Sequence, residues 1–450
     1  IATVVERYTT LTGKMPMPPR WTLGYHQSRH GYFPDTQVLE VAQGLRDRNF
    51  PVDAMWLDID YMDEYRIFTW GPEFSKDPEA MISQLREDGI RTVVIIDPGL
   101  KVDEQWDVYT EGLANGYYVT NPDGTPFVGV VWPGDSVYPD FTNPEARSWW
   151  GDLFPAVTDL GVEGIWIDMN EPANFDSNNS WTVPDNVEMA GDGTLMTMAE
   201  GHNLYGSGMA HATFDGLVKH HPERRPFILT RAGYAGVQRY AAVWTGDVPS
   251  TWDALKTTLP MMLNMGLSGV SFVGSDVGGW MGGVQGDLFA RWMQLGALSP
   301  FYRNHTQKNT EMQEPWEFGS EVEDVSRVAV QERYRLLPYW YTLFEECSRT
   351  GAPMLRPMVY EFQNDGAAHT LATQAMLGPW VLVAPVLEDE ATERTVYFPK
   401  GTWMELDSGV VYEGPGLTTV SVRLGASPTF LRSGAILPRQ QVLEWTDETP

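Results

Sequence analysis

The residues in this sequence with chemistry to offer are carboxylates that terminate short apolar runs. Gly164-Ile165-Trp166-Ile167 opens on glycine, is apolar to its end and stops at Asp168, with Pro172 shortly after. Such a run reads as a strand buried on both faces, as in a parallel sheet. A parallel α/β barrel gathers its catalytic side chains at the carboxyl ends of its strands. One aspartate in that position could equally cap a helix, but the ending recurs. Ala54–Leu57 runs into Asp58-Ile59-Asp60, 92–96 into Asp97, 225–230 into Arg231, and 241–245 into Gly246-Asp247. Residues 269–273 lead to Gly274-Ser275-Asp276, 297–302 to Arg303-Asn304-His305, and 21–27 to Ser28-Arg29-His30. That makes eight runs, the number a closed (β/α)8 barrel requires.

The polar residues gathered at the mouth of such a barrel would be Arg29, Asp58, Asp60, Asp97, Asp168, Glu171, Arg231, Asp247, Asp276, Arg303 and His305. Three chemistries suit a mouth rich in carboxylates. Metal-assisted hydrolysis needs histidine ligands, yet the chain has 8 histidines and no His-x-His pair at a strand end. Schiff-base chemistry needs a lysine at a strand end, and none is present. Cleavage of a glycosidic bond needs two carboxyl groups, one an acid and one a nucleophile or base. Only the third uses the whole set, with arginine and histidine on sugar hydroxyls and tryptophans walling the ring.

The elements that must position these residues alternate along the chain. Helical spacing is found at 4–11, at 36–48 with Val38, Val41 and Leu45 on one face, and at 81–87, 254–265 and 287–295. A single long helix is expected over 322–350. Residues 102–149 read as a lid-like insertion, and 176–203, rich in Asn, Asp and Gly, as an exposed loop. Within that loop Asn178-Asn179-Ser180 forms a glycosylation sequon, which matters only in a secreted chain. After Pro353 the rhythm changes to short β runs at 381–386, 395–398, 401–406, 418–423 and 429–437, an antiparallel β-sandwich by pattern. The expected organisation is a lead-in at 1–20, a catalytic α/β (β/α)8 TIM barrel at 21–352 with insertions near 102–149 and 176–203, and a C-terminal β-sandwich domain at 353–450.

Composition narrows the partners. The 450 residues carry 60 acidic and 31 basic side chains, a formal charge of -29. Nucleic acid and anionic membranes both need basic patches and are excluded as partners. No apolar run is long enough to span a bilayer. One cysteine, Cys347, leaves no internal disulfide or cysteine-based metal site, and its place on the last helix reads as core. The 18 Trp and 19 Tyr supply flat faces of the kind that hold sugar rings, although most will be core. No compartment is fixed by the sequence; the cytoplasm is expected ahead of secretion.

Several motifs go further. Trp166-Ile-Asp168-Met-Asn170-Glu171, Arg231, Trp244-Thr-Gly-Asp247, Phe272-Val-Gly-Ser-Asp276 and Arg303-Asn-His305 resemble the signature motifs of glycoside hydrolase family 31, the α-glucosidase and α-xylosidase family. His202-Asn203-Leu204-Tyr205-Gly206 and Arg335-Leu-Leu-Pro-Tyr339 are also similar to it, and the motifs occur in the family's order from about Trp21 to about Leu437. The resemblance implies a retaining double displacement on α-linked sugars with no cofactor and no metal. It implies Asp168 as nucleophile and Asp247 as general acid/base, with Asp58, Arg231 and His305 on the hydroxyls of the non-reducing-end sugar. Trp166, Met169, Phe175, Asp276 and Trp280 would line its pocket, and Ile59, Ile95, Trp132, Trp244 and Arg303 complete the substrate-binding set. Asp60, Asp97 and Glu171 are read as supports behind it.

Physics fits these roles. An acid must keep its proton until the leaving oxygen needs it, so the Asp247 pKa is expected above about 3.9. Asp168 must be ionised, which Arg231 would favour, and retention needs the carboxyl groups about 5–5.5 Å apart. The chain departs from the family pattern at Val248, where Asn often follows the acid/base, and at His30, where Tyr or Trp often stands. No β-sandwich precedes the barrel in this sequence as it usually does in the family, so the expectation is a fragment, a separate N-terminal segment or chain as partner, or an unusually open leaving-group subsite; a homo-oligomer is a further expected partner. Trp166 two positions before the nucleophile is associated with glucosidases, where xylosidases often carry lysine. The expected activity is release of glucose from the non-reducing end of α-glucosides. The alternatives are an α-glucosyltransferase or α-xylosidase of the same family, or a catalytically silent sugar-binding protein.

Overall fold

In the computed structural model residues 1–176 and 181–448 are described; the Asn178-Asn179-Ser180 sequon lies outside them. The chain divides into two compact units. A central unit comprises His30–Glu40 and Met55–Val243, and a terminal unit comprises Ile1–Arg29, Val41–Ala54 and Trp244–Pro450.

In the central unit the strands Ala54–Leu57, Arg91–Ile96, Gly164–Ile167 and Ile228–Thr230 lie side by side in that order. Arg91–Ile96 and Ile228–Thr230 flank Gly164–Ile167 in parallel, placing Ile96 and Thr230 opposite Ile167. Thr230 in turn pairs with Val243. Burial on both faces explains why these strands are apolar from end to end. The helix Pro78–Glu87 returns the chain between two of them; it starts at Asp77, whose side chain accepts from the Ala80 N–H at 3.0 Å, and has proline in its first turn.

Residues 102–149, read as a lid-like insertion, are not without regular structure, for they hold the helix Asp107–Asn115 and the start of the helix Pro144–Asp152. Gly129–Val131 and Gly134–Val137 form a hairpin there, joined by Leu100–Lys101. Nor is 176–203 loop throughout: Glu188–Met189 pairs with Met196–Thr197, and a helix Met198–His220 follows. Its start is a capping box, with the Glu200 carboxylate accepting from the Thr197 N–H at 2.9 Å. That helix presses on Pro144–Asp152 so closely that a Cβ on Gly216 would sit 2.5 Å from the Gly151 Cα.

In the terminal unit the short strands His26–Gln27 and Asp276–Val277 both run parallel to Arg303–Asn304, with His26 and Asp276 opposite Arg303. The apolar run 269–273 does not form the expected strand. Its first residues close the helix Trp252–Leu267 in a Schellman motif: Gly269, at φ 89°, donates to the Gly266 carbonyl and Val270 to that of Met265. Strand is confined to Val273–Gly274 and Asp276–Val277. Similarly, 21–27 begins as a 3₁₀ turn, Arg20–Leu23, before its strand.

The helix expected over 322–350 is two, Ser320–Arg335 and Leu337–Thr350. Pro338 in the first turn of the second has no N–H to continue the ladder, so Leu336 (φ −91°, ψ 1°) forms a joint. Arg333 braces that joint from inside. Its guanidinium, 3.9 Å from the Trp340 ring, donates to the carbonyls of Leu23, Ser299 and Pro300 at 2.7 Å each. Burial lowers its pKa to about 9.

The C-terminal part is one six-stranded antiparallel sheet in the order Leu355–Pro357, Ala375–Leu377, Val381–Val383, Thr429–Arg432, Glu393–Glu405, Val411–Ser421. It wraps a core that includes Met376, Leu382, Phe398, Trp403 and Phe430. The runs 395–398 and 401–406 form one strand, with a register shift between Phe398 and Gly401. No helix of the described residues is long and apolar enough to cross a membrane.

Candidate active site

Each unit carries its own cluster of the candidate residues. In the central unit the cluster centres on Asp168, immediately after the buried strand Gly164–Ile167. The backbone turns sharply there: Met169 has φ 56°, a left-handed conformation that a bulky residue holds only when its surroundings enforce it. The enforcement is visible. The Met169 N–H donates to Asp168 Oδ1 at 2.8 Å, while buried Asn170 donates to Thr230 Oγ1 and accepts from the Ala232 N–H, each at 2.9 Å. Asn170 thus ties the end of one strand to the loop after its neighbour. Sequence reasoning gave it no role, although its place inside the motif was a signal.

That tie positions Arg231. Its Nε lies 3.0 Å from Asp168 Oδ1 and donates to Glu171 Oε1 at 2.7 Å; its Nη2 donates to Glu171 Oε2 at 2.9 Å. One guanidinium therefore holds two carboxylates. Charge-assisted bonds of this kind favour the ionised acid. Glu171, read from sequence as a support, is the second of those carboxylates. Asp97, at the end of the adjacent strand, is buried, and its pKa is raised well above the usual value by that burial and then by the charges of Asp168 and Asp58. It holds its proton more tightly than an ordinary carboxyl group does.

Around these groups stand apolar walls. Trp166 meets Trp56 edge to face at 5.9 Å, and Met169 packs with Val131 and Ala173. Trp132 meets Phe175 at 5.2 Å and His30 at 6.2 Å. Ile59 and Ile95 are buried; Asp58 accepts from the Ile59 N–H at 2.7 Å, and the Ile95 carbonyl accepts from the Tyr61 hydroxyl at 3.0 Å. His30 Nε2 lies 3.7 Å from Asp60 Oδ2.

In the terminal unit a second cluster forms at the other strand ends. Fully buried Arg303 donates through Nη2 to Asp276 Oδ1 at 2.5 Å, and its guanidinium carbon lies 5.4 Å from the centre of the Trp244 ring. His305 Nδ1 shares a 2.8 Å hydrogen bond with Ser28 Oγ. Gln313, which the sequence did not flag, cross-links this region: it donates to the carbonyl of Val277 at 2.8 Å and to Asn304 Oδ1 at 2.9 Å. Asp247 is exposed, on a segment held by main-chain bonds: Trp280 and Met281 donate to the Val248 carbonyl at 2.8 and 3.1 Å. Trp280 follows Gly278 and Gly279, both at positive φ, and a Cβ on Gly279 would come within 2.7 Å of the Ser250 Cα. Arg29, expected among the mouth residues, is instead structural, donating to the carbonyls of Lys308, Thr310 and Glu311. Among the described residues no group of histidine, cysteine and acidic side chains is arranged to hold a metal ion.

Comparison with known proteins places these features. Residues 15–343 match the glycosyl hydrolases family 31 TIM-barrel domain, and residues 351–437 match the glycosyl hydrolase family 31 C-terminal domain. Alpha-glucosidase 2 of Bacillus thermoamyloliquefaciens is 44% identical over 444 residues, covering 99% of this chain and 56% of that protein. A crystal structure of the glucosidase II alpha subunit superposes with a TM-score of 0.95 at 34% identity, covering 98% of this chain and 48% of the other. The GH31 dextranase of Flavobacterium johnsoniae, complexed with glucose, gives 0.94 at 32% identity, covering 99% and 56%. The chain thus spans about half the length of the relatives it matches. The fold is a TIM barrel followed by an antiparallel sheet domain, as the strand count led one to expect. The chain belongs to glycosyl hydrolase family 31.

Proposed function

We propose that this chain is a retaining, exo-acting α-glucosidase that releases glucose from the non-reducing end of short α-linked oligosaccharides. The observation that carries the reading is the Asp168–Arg231–Glu171 set, a strand-end carboxylate with a guanidinium 3.0 Å away to favour its charge and fix its place. A nucleophile needs both properties. The 44% identical relative named an alpha-glucosidase supports the same substrate class.

On this reading the Asp168 carboxylate attacks the anomeric carbon while the bond to the leaving oxygen breaks and Asp247 gives that oxygen its proton. The product of this step is a glycosyl ester on Asp168. Water then attacks the same carbon, Asp247 takes the proton back, and two inversions leave the α configuration. No metal or cofactor enters the cycle. Asp58, Arg231 and His305 hold the glucose hydroxyls, and Trp166, Met169, Phe175, Asp276 and Trp280 shape the pocket, together with Ile59, Ile95, Trp132, Trp244 and Arg303.

The test is a side-by-side assay on nitrophenyl α-glucoside and nitrophenyl α-xyloside. Trp166 fills the space where xylosidases often place lysine, so the glucoside is expected to turn over faster. Faster turnover of the xyloside overturns the reading.

A further inference from the structure

The aromatic residues around Phe175 extend beyond what a glucose pocket uses. Trp132 and Trp181 each stand nearly perpendicular to the Phe175 ring, at 82° and 71°, with centroids 5.2 and 6.2 Å away. Trp181 is 66% exposed. Its backbone lies at φ 57°, in the left-handed region that a bulky residue occupies only at a cost in free energy.

The backbone around it is nevertheless firmly held. Ala173 and Thr182 form an antiparallel bridge, Asn174 donates its N–H to the Trp181 carbonyl at 3.1 Å, and Val183 donates to the Pro172 carbonyl at 3.1 Å. Thr182 Oγ1 adds a bond to the Pro172 carbonyl at 2.8 Å. From Trp181 to Val183 the chain is thus tied to residues 172–174, beside an indole that faces water. A strained backbone and a wet apolar ring both oppose folding, and the fold sets against them the edge-to-face contact with Phe175. A ligand laid on the ring would gain, since it removes apolar surface from water.

The geometry points to that ligand, and we propose that Trp181 is a platform for a sugar unit at least two beyond the one in the pocket that Phe175 lines, on the leaving-group side of an α-linked chain. This rests on the α-glucosidase reading. A pyranose offers apolar C–H faces to the ring and hydroxyls to the water around it. It is also uncharged, so a protein of net charge -29 does not repel it as it would an acidic polymer.

The experiment uses Trp181→Ala and Trp181→Phe in the intact protein, with α-1,4- and α-1,6-linked glucose tetrasaccharides. For Trp181→Ala, kcat/KM on the preferred tetrasaccharide should fall about tenfold, carried by KM, while nitrophenyl α-glucoside and the disaccharides change by less than about twofold. Trp181→Phe should recover part of the loss. A second readout needs no turnover: calorimetric binding of the tetrasaccharides to Asp168→Asn, against the same variant also carrying Trp181→Ala, should weaken by about tenfold. If wild type fails to cleave nitrophenyl α-glucoside yet this binding difference persists, the catalytic reading fails and the platform stands. An equal loss on all substrates, no dependence on chain length, or a lowered Tm with unchanged kinetics and binding would each overturn the platform, the last by showing that Trp181 serves packing.

Discussion

Asp97 and Asp168 follow paired residues of neighbouring parallel strands, Ile96 opposite Ile167, yet their surroundings differ. Asp97 is 5% exposed, its Oδ1 has no hydrogen-bond partner among the described residues, and burial is the largest cause of its raised pKa. Asp168, 9% exposed, has Arg231 Nε at 3.0 Å and the Met169 N–H at 2.8 Å. A charge pair at about 3 Å in an effective dielectric of about 20 is worth roughly 5 kcal/mol. That is the size of the desolvation penalty, several kcal/mol for a buried ion. A guanidinium in contact therefore offsets the cost of a buried carboxylate, and where none is in contact desolvation favours the protonated acid. Strand-end placement sets where an acid stands, and its direct partners decide what it can do.

The largest effect expected from breaking this contrast is at Asp168. Asp168→Ala should lower kcat on maltose by about 10⁵-fold, the scale seen when a nucleophile is removed. It should form no sugar adduct with α-glucosyl fluoride. Asp247→Ala should form that adduct, because fluoride departs with little protonation, and then stall for want of a base. Intact-protein mass spectrometry reads both, and an adduct on the Asp168 variant would exchange or cancel the assigned roles. A smaller effect is expected from Arg231→Gln, about 10²–10³-fold in kcat/KM. The pH profile is its sharper readout. Removing the cation raises the pKa of the carboxylate it stabilised, so the acid limb should move to higher pH. An unmoved limb would mean that Arg231 does not set the charge of Asp168.

How far the sequence spoke for itself depended on how local the cause was. Gly164–Ile167 was legible because burial on both faces leaves an unbroken apolar run with sharp ends. The break at Leu336 and the helix start at Met198 were missed although their causes are local, Pro338 for the first and the Thr197–Glu200 capping box for the second. Gly269 misled because an apolar helix-closing turn and a short buried strand look alike in one dimension. Arg29 could not have been read, because the carbonyls that claim its guanidinium belong to residues 308–311, far along the chain. The same holds for Asp97: its strand-end position was plain, but the rise in its pKa depends on burial and on the charges of Asp168 and Asp58, gathered only by folding.

The smallest effect, and the most direct test of the contrast, belongs to Asp97→Asn. The substitution mimics the neutral acid in size and charge, so kcat/KM near pH 6 should stay within about threefold of wild type. Stability should respond with a definite sign. Unfolded, Asp97 titrates near 3.8; folded, its pKa lies well above that. Below the unfolded value both states are protonated and its contribution is fully present. As pH rises, the unfolded chain releases the proton while the folded chain keeps it, so stability is lost until the folded pKa is passed. Every tenfold difference in proton affinity between the two states corresponds to about 1.4 kcal/mol. The variant carries no such proton, so its Tm relative to wild type should climb as pH rises above about 4 and level off once the folded pKa is passed. A relative Tm that stays flat with pH would mean that Asp97 is ionised in the fold. A loss of activity as deep as that of Arg231→Gln would mean that its carboxyl takes part in the reaction, and two neighbouring strand ends would then share one role.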